Sequence, residues 1–220
     1  MALTVVTGAN RGIGLELTRQ LVARGDEVIA ACRAASPELE ATGAEIAEGI
    51  DVADEAGVAA LSRRIGERRV DLLINNAGIL TRETFDDLDY DRMRRQFEVN
   101  TLGPLRVTKA LAGNLGEGSK VAIVSSRVGS LADNGSGGNY GYRISKAGVN
   151  MVGMNLWHDL HPQGIAVILL HPGYVDTEMT GHRGPIAPAD AARGLIARID
   201  AATPESGCEF RHAEGELLPW

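Results

Sequence analysis

Short apolar runs alternate with longer amphipathic stretches along almost the whole chain, and no other feature constrains the fold as strongly. The apolar runs predict seven strands, the last of them weaker than the others, at residues 3–7, 27–32, 45–50, 72–75, 120–125, 165–170 and 208–212. Most of these runs are nearly continuous in aliphatic residues, which is typical of parallel strands covered on both faces. The alternation therefore predicts an α/β protein built around a parallel sheet.

Amphipathic stretches between the strands predict crossover helices at residues 12–24, 54–68, 89–114, 145–161 and 188–202. The third contains Pro104, so we expect it to kink or break just before that residue. It also carries a charge run, Arg92, Arg94 and Arg95, which we interpret as a solvated helix face. Helices on both faces define a doubly wound parallel sheet, whose ligand crevice lies at the carboxyl ends of the strands. Without an internal repeat or a linker, residues 1–220 are predicted to form a single domain.

The composition excludes several classes of protein. A formal net charge of −7 and a pI near 5.3 supply no broad basic field, so nucleic acid is not an expected partner. No apolar run approaches the roughly 18 residues of a membrane span, and the five histidines lack the carboxylate or thiol neighbours of a metal site. Cys32 and Cys208 are too few for a disulfide framework. Because no secretion signal is recognisable, we expect a reducing compartment, the cytoplasm.

A glycine-rich turn, TGANRGIG, follows the first predicted strand and opens the first predicted helix. Such glycines let the backbone approach a pyrophosphate, which the free N–H groups at the helix N-terminus attract. The spacing G-x-x-x-G-x-G departs from G-x-G-x-x-G, but its place in the first strand-to-helix turn favours a dinucleotide site over a plain tight turn. The predicted contacts are Gly8, Asn10, Arg11, Gly12, Ile13 and Gly14.

The end of the second strand indicates which nicotinamide cofactor this turn would hold. NAD sites usually offer an acidic residue there to bind the ribose 2′-hydroxyl, whereas this chain has Arg33 and no acid before Glu38. Arg33 and Arg11 would instead hold a 2′-phosphate through charge-assisted hydrogen bonds. We therefore predict NADP(H) in preference to NAD(H); the alternative is that both arginines are merely solvated.

A tyrosine and a lysine four residues apart follow the fifth strand. Tyr142 and Lys146 project from one face of a helix. A phenol with a pKa of about 10 is a poor proton donor near neutrality, and we expect the Lys146 ammonium to lower the pKa of Tyr142. Tyr140 lies nearby, but no lysine follows it at this spacing, so we interpret it as a ring that lines the cleft or packs on the loop.

Five motifs in this order resemble those of the short-chain dehydrogenase/reductase family: TGANRGIG, NNAG at 75–78, Asn100, Ser126 and Y-x-x-x-K at 142–146. The stretches YGYRISKAGVN and HPGYVDTEMTG, with the long gap between Ser126 and Tyr142, are most similar to the group that contains sniffer, C-factor and carbonyl reductases. The resemblance covers nearly the whole chain and implies a Rossmann fold that binds a dinucleotide.

The resemblance also implies a role for each matching residue. Tyr142 would protonate a carbonyl oxygen as hydride arrives, Lys146 would hold the nicotinamide ribose and lower the tyrosine pKa, and Ser126 would donate a hydrogen bond to the substrate oxygen. Asn100 would support a water that relays protons to Lys146. The further implied cofactor contacts are Asp51, Val52, Asn76, Ala77, Gly78, Pro172, Gly173, Val175 and Thr177.

The sequence thus predicts an enzyme that reduces a ketone or aldehyde with NADPH. Because the gap from serine to tyrosine is long for the family, Ser125 or Ser130 competes with Ser126 for the serine role. Two other functions stay open: an NAD-linked alcohol dehydrogenase, and a nucleotide-binding signalling protein similar to C-factor with incidental turnover. The resemblance allows a homodimer or homotetramer, although carbonyl reductases of this group can be monomers.

Overall fold

Seven parallel strands form one sheet in the order β3-β2-β1-β4-β5-β6-β7 in the computed structural model, which describes residues 2–220. The strands are β1 Leu3–Thr7, β2 Glu27–Ala31, β3 Glu45–Ala47, β4 Leu72–Asn75, β5 Lys120–Val124, β6 Ala166–His171 and β7 Glu209–His212. Strands are added first on one side of β1 and then, from β4 onward, on the other. The predicted doubly wound, Rossmann-like sheet is confirmed, and its crevice lies where the winding reverses.

Helices cover both faces of the sheet, as predicted. They are α1 Gly12–Arg24, α2 Pro37–Glu40, α3 Glu55–Ile65, α4 Tyr90–Phe97, α5 Gly103–Ala110, α6 Tyr140–Leu160 and α7 Pro188–Ala201. The buried side chains of α3, α5 and α6 join one apolar cluster, and those of α1, α2 and α7 join another. The sheet therefore separates two apolar layers.

The register of the strands explains why there are two layers. Val5 lies between Ile29 and Leu73 on the neighbouring strands, and all three belong to the α3–α5–α6 layer. The next residue, Val6, lies between Ala30 and Ile74 and belongs to the α1–α2–α7 layer. Because successive side chains of a strand point to opposite faces, an unbroken aliphatic run supplies both layers at once.

Several predicted boundaries are wrong by a few residues, mostly at the carboxyl ends. The strands predicted at 27–32, 45–50 and 120–125 end earlier, at Ala31, Ala47 and Val124. The third strand ends at Ala47, two residues before Gly49, which has a left-handed φ of 78°. The helix predicted at 54–68 ends before Gly66, whose φ is 62°. The helix predicted at 145–161 begins five residues earlier, at Tyr140.

The helix predicted at 89–114 is broken, as expected, ahead of Pro104. Its first part, α4, is capped by Asp89, whose side chain accepts the N–H groups of Asp91 and Arg92 at 3.0 Å. A π-helical turn, Glu98–Leu102, then joins α4 to α5, and a 3-10 turn, Ala112–Asn114, ends the region. Such π turns concentrate at functional sites, and this one contains Asn100.

Two further observations concern predictions made from composition. Within residues 2–220, no helix is both long enough and apolar enough to cross a membrane. Cys32 is buried and Cys208 is partly buried, and both are free thiols.

Candidate active site

A cleft of about 390 Å³ opens at the carboxyl ends of the strands. It gathers most of the residues predicted to bind a dinucleotide. The residues on its wall that the sequence predicted are Gly8, Asn10, Arg11, Gly12, Ile13, Gly14, Arg33, Asp51, Val52, Asn76, Ala77, Gly78, Tyr142, Lys146, Pro172 and Thr177. Asn100 and Ser126 are buried and do not line it, and neither do Gly173 and Val175. Gly173 instead packs against Ile186, and Val175 pairs with the same residue in an isolated bridge.

Two glycines of the glycine-rich turn, Gly8 and Gly14, leave no room for a side chain. A Cβ atom at Gly14 would lie 2.2 Å from the carbonyl oxygen of Gly8, and one at Gly8 would lie 2.8 Å from the Cα of Ala77. Gly8 also has a φ of 66°, which favours glycine. These two glycines let the turn, called the glycine cradle below, pack directly against the NNAG segment.

The N-terminus of α1 faces the same cradle. The residue before it, Arg11, makes no side-chain capping bond, and its first turn holds no acidic residue. Its free N–H groups and partial positive charge are therefore left for a ligand. An uncapped helix start at a glycine-rich turn fits a pyrophosphate.

The NNAG segment clamps this cradle in place. The Asn76 side chain donates to the carbonyl oxygens of Thr7, at 3.0 Å, and Gly8, at 3.2 Å. The Thr7 hydroxyl in turn accepts the backbone N–H groups of Asn76 and Ala77 at 3.0 and 3.1 Å. The ends of β1 and β4 are thus joined on both sides of the crevice.

Charged side chains line the end of the cleft beside β2. Arg33 is exposed, and its guanidinium has no hydrogen-bond or ion-pair partner within residues 2–220. Arg11 is paired with Glu178, which lies across the cleft on the segment after β6. One Asp51 oxygen accepts the Ala53 N–H at 2.9 Å.

Arg95 is exposed, as predicted for the charge run of α4, but it also has a place in the cleft that its sequence context did not indicate. Arg95 lines the cleft, and its Nη2 lies 2.6 Å from the other oxygen of Asp51. Burial acts to raise the pKa of Asp51, but the Ala53 amide and the Arg95 guanidinium outweigh it and hold that pKa below its usual value. The pairing joins residues 44 positions apart, so no local pattern could have predicted it.

Tyr142 and Lys146 line another part of the cleft, and Ser126 is buried behind them. Ser126 is close enough to the Tyr142 hydroxyl to act on its pKa by hydrogen bonding. Lys146 lies one helical turn further along α6, with its Nζ 5.6 Å from the centre of the Tyr142 ring and 2.9 Å from the Val124 carbonyl oxygen, to which it donates. The phenol of Tyr142, the hydroxyl of Ser126 and the amine of Lys146 thus lie near one another, shielded from solvent.

The two competing serines make other contacts. The Ser125 hydroxyl donates to Asn150 Oδ1 at 2.6 Å, and the Ser130 hydroxyl donates to the Trp220 carbonyl oxygen at 3.1 Å. Ser126 is the serine that contacts Tyr142.

Comparisons with known proteins agree with this geometry. The family described as short chain dehydrogenase matches residues 2–185. The chain belongs to the short-chain dehydrogenase family. It is therefore an NAD(P)-dependent oxidoreductase, and the resemblance stated from its motifs is confirmed.

Individual relatives narrow the position of this short-chain dehydrogenase within the family. It is 47% identical to the 1-hydroxy-2-glutathionyl-2-methyl-3-butene dehydrogenase of Rhodococcus sp. (strain AD45), over 100% of both chains. It is 45% identical to the C-signal of Myxococcus xanthus, over 69% of this chain and 93% of that protein. The NADPH-bound carbonyl reductase from chicken fatty liver superposes with a TM-score of 0.90 and 27% identity over 100% of both chains. The predicted similarity to the C-factor and carbonyl reductase group is confirmed.

Burial sets the protonation of the tyrosine and lysine in this short-chain dehydrogenase. It raises the pKa of Tyr142 to about 12, against the opposing effect of the Ser126 hydrogen bond, and it lowers the pKa of Lys146 to about 8. The expected lowering of the phenol pKa by Lys146 is not found. The amine donates to the Val124 carbonyl rather than to the phenol. Burial of the phenolate costs more free energy than the nearby cation contributes by electrostatic attraction, so the phenol pKa rises.

Asn100 ties the dehydrogenase's π-helical turn to its surroundings. Its Oδ1 accepts the Ile79 N–H at 2.8 Å, and its Nδ2 donates to the Ile79 carbonyl at 2.9 Å and to the Ser145 hydroxyl at 3.0 Å. The side chain therefore links the segment after β4 to Ser145 of α6, which lies between Tyr142 and Lys146 in the sequence.

His182 is a further cleft residue that no motif of the sequence indicated. This histidine lines the cleft of the dehydrogenase, and its Nδ1 lies 2.8 Å from Asp176. The two residues lie in the segment after β6, where no periodic pattern exists to mark them. Within residues 2–220, no three His, Cys, Asp or Glu side chains form a group that could hold a metal ion.

Proposed function

We propose that this short-chain dehydrogenase reduces a ketone or aldehyde to an alcohol with NADPH, with residues 1–220 acting as one cofactor-binding and catalytic domain. The observation that carries the proposal is that Tyr142 and Lys146 line the same cleft as the glycine-rich turn, with the Lys146 Nζ 5.6 Å from the centre of the Tyr142 ring. A proton donor and a dinucleotide cradle on one cleft are what carbonyl reduction needs.

The protonation states suit the reductive direction. When bound, the cofactor supplies a hydride. Tyr142, with a pKa of about 12, keeps its proton at neutral pH and can donate it to the carbonyl oxygen. Ser126, beside the phenol, donates to the same oxygen as negative charge develops on it. Lys146, with a pKa of about 8, is mostly an ammonium at pH 7 and holds positive charge beside the phenol.

The charges beside β2 support NADPH over NADH. Arg33 has no hydrogen-bond or ion-pair partner within residues 2–220, and Asp51, a carboxylate on which its charge acts, is paired with Arg95. The guanidinium of Arg33 is thus left to bind a 2′-phosphate. The carbonyl reductase from chicken fatty liver was solved with NADPH bound, which supports the same preference.

The dehydrogenase from Rhodococcus sp. supports a second candidate, oxidation of an alcohol. Its name describes a hydroxylated compound that carries a glutathionyl group, and it is 47% identical to this chain. Under this alternative the same tyrosine removes a proton from the alcohol, and the cofactor is NAD. The similarity to C-signal supports a third candidate, a signalling role with incidental turnover.

Substitution of Tyr142 tests the reductase proposal. In the Tyr142→Phe variant we expect NADPH-linked reduction of 4-nitrobenzaldehyde and other carbonyls to fall by about 100-fold or more, while NADPH binding, measured by fluorescence titration, persists. The matched control is Tyr90→Phe, because Tyr90 is 61% exposed at the start of α4. Turnover by Tyr142→Phe at the wild-type rate would refute the proposal. If the wild-type protein binds NADPH but reduces none of the carbonyls tested, that result would favour the signalling role.

Substitution of Arg33 tests the cofactor preference. In Arg33→Ala we expect the dissociation constant for NADPH to rise about tenfold and that for NADH to change little, because only NADPH carries the 2′-phosphate. The control is Arg63→Ala, an exposed arginine of α3 without a partner within residues 2–220. Equal weakening of both cofactors, or of neither, contradicts the preference.

Assembly and location stay predictions. The exposed apolar side chains of Leu105, Ile144 and Met151 on α5 and α6 support pairing of two or four subunits through these helices, which analytical ultracentrifugation tests. The cytoplasm remains the predicted compartment.

A further inference from the structure

Glu83 is a buried carboxylate that the proposed reaction does not use. Its side chain is 2% exposed and lies on the segment between β4 and α4. The side-chain donors around it are neutral: the Thr81 hydroxyl, and the Gln96 amide at 3.3 Å from both carboxylate oxygens. Within residues 2–220, no cationic side chain pairs with it. Burying an unpaired carboxylate is costly, so a compensating role is expected.

The backbone donor to Glu83 belongs to α6. The Gly141 N–H, in the first turn of that helix, donates to Glu83 Oε2 at 3.3 Å, and the Asn139 N–H donates to the Glu83 carbonyl oxygen at 2.9 Å. Asn139, the residue before α6, has a φ of 47° and provides no side-chain capping bond. A carboxylate from a distant segment therefore occupies the place of a local cap, where a negative charge stabilises a helix N-terminus.

The same carboxylate lies in a tight contact between α4 and α6. A Cβ atom at Gly141 would lie 2.3 Å from Gln96 Nε2 and 3.1 Å from the Cα of Met93. The Gln96 Oε1 accepts the Thr81 N–H at 3.0 Å, which fixes the direction of its amide. Three donors therefore converge on Glu83, and they need an acceptor-only group, which a carboxylate is and an amide is not.

We propose that Glu83 is a positioning residue for proton transfer: it fixes the first turn of α6, so that Tyr142, the residue after Gly141, stays in contact with Ser126. The inference rests on the proposed function for its catalytic consequence. Its structural half, the fixed helix start, stands on the hydrogen bonds alone. Small displacements of a reacting group have large effects on rate, so the first turn of α6 must be held firmly.

Single-turnover kinetics of Glu83→Gln and Glu83→Ala tests the proposal. The enzyme is loaded with NADPH and mixed with 4-nitrobenzaldehyde, and the loss of NADPH fluorescence is followed. We expect the rate constant to fall about tenfold in Glu83→Ala and less in Glu83→Gln, with an amplitude that still matches the bound NADPH. The matched controls are Glu55→Gln and Glu55→Ala, because Glu55 is an exposed acid in the first turn of α3.

The amplitude distinguishes positioning from stability. A smaller amplitude with an unchanged rate constant would mean that Glu83 only keeps the protein folded, and would overturn the proposal. So would wild-type rate and amplitude in both variants. If Glu83→Ala does not fold, Glu83→Gln alone decides. The Tyr142→Phe arm, run in parallel, reports separately on the proposed function.

Hydrogen exchange tests the helix start without any turnover. Amides in a peptide spanning residues 139–146 should exchange faster in Glu83→Gln than in Glu55→Gln, because the first turn of α6 loses part of its cap. Unchanged exchange in that peptide would remove the structural basis of the inference even if catalysis were affected.

Discussion

Lys146 is a residue in which burial and charge oppose each other. Its side chain is 4% exposed and its Nζ has one hydrogen-bond acceptor within the described chain, the Val124 carbonyl. Burial alone lowers the pKa of this amine to about 8. The positive charge beside the phenol is therefore lost at a pH only slightly above neutrality.

This pKa predicts the pH dependence of reduction. The Lys146 amine loses its proton as pH rises through about 8, whereas Tyr142, with a pKa of about 12, stays protonated. We therefore expect kcat/KM for aldehyde reduction to be level near neutrality and to decline as pH rises through about 8. Initial rates with NADPH from about pH 6 to pH 10 measure this. A profile that stays level through pH 9 contradicts the assignment, and Tyr90→Phe should show the same profile as the wild type.

The Ser126 segment rests directly on α6. Gly129, in the 3-10 turn that follows Ser126, lies so close to the helix that a Cβ atom there would be 2.6 Å from the Lys146 carbonyl carbon and 2.8 Å from its oxygen. Both are backbone atoms and cannot rotate away. The distance between the hydroxyl of Ser126 and the phenol of Tyr142 therefore depends on this glycine.

In Gly129→Ala we expect the 3-10 turn to move off α6. The unfolding free energy should fall by about 1–3 kcal/mol, and kcat should fall about tenfold as Ser126 separates from Tyr142. Urea denaturation and steady-state rates measure the two effects. The control is Gly135→Ala in the same loop, because a Cβ atom there meets nothing within 4 Å in the described residues and its φ is not left-handed. Equal behaviour of the two variants would show that the contact is unimportant.

Most elements could be predicted from the sequence because their signals are local. The aliphatic run of β1 and the apolar stripe of α1 gave boundaries that agree with the structure, Leu3–Thr7 and Gly12–Arg24. The start of α6 could not be predicted, because its cap is Glu83, 58 positions from Gly141. Motifs likewise indicated Tyr142 and the glycine cradle. They did not indicate Arg95, whose role depends on the fold bringing it to Asp51.

At the scale of the molecule, a histidine at the end of a strand of the sheet affects how stable the fold is in acid. His171 ends β6, with its ring centre 5.0 Å from that of His212 on β7. Burial, together with His212, Arg127 and Lys146, lowers the pKa of His171 from its ordinary 6.5 to about 3. The folded protein therefore prefers the neutral ring.

This preference predicts a loss of stability in acid. Above pH 6.5 the ring is neutral in the folded and unfolded states alike; below it the unfolded chain takes up a proton that the folded chain refuses until about pH 3. The unfolding free energy should therefore decrease as pH falls through this window, by about 1.4 kcal/mol per unit from this group. In His171→Gln that contribution disappears, whereas His158→Gln, at an exposed position of α6, keeps it. Urea denaturation at pH 7 and pH 4.5 compares them, and equal losses in both variants would contradict the prediction.

The sheet's backbone keeps the two apolar layers apart, and the cleft draws its tyrosine and lysine from the helix on one of them. We expect volume changes beneath α7, away from the glycine cradle at the start of α1, to leave α6 where it is, since distant sites act nearly independently. In proteins that evolve from such a chain, substitutions beneath α7 can change thermal stability while substitutions near α6 change substrate preference, and neither set undoes the effect of the other.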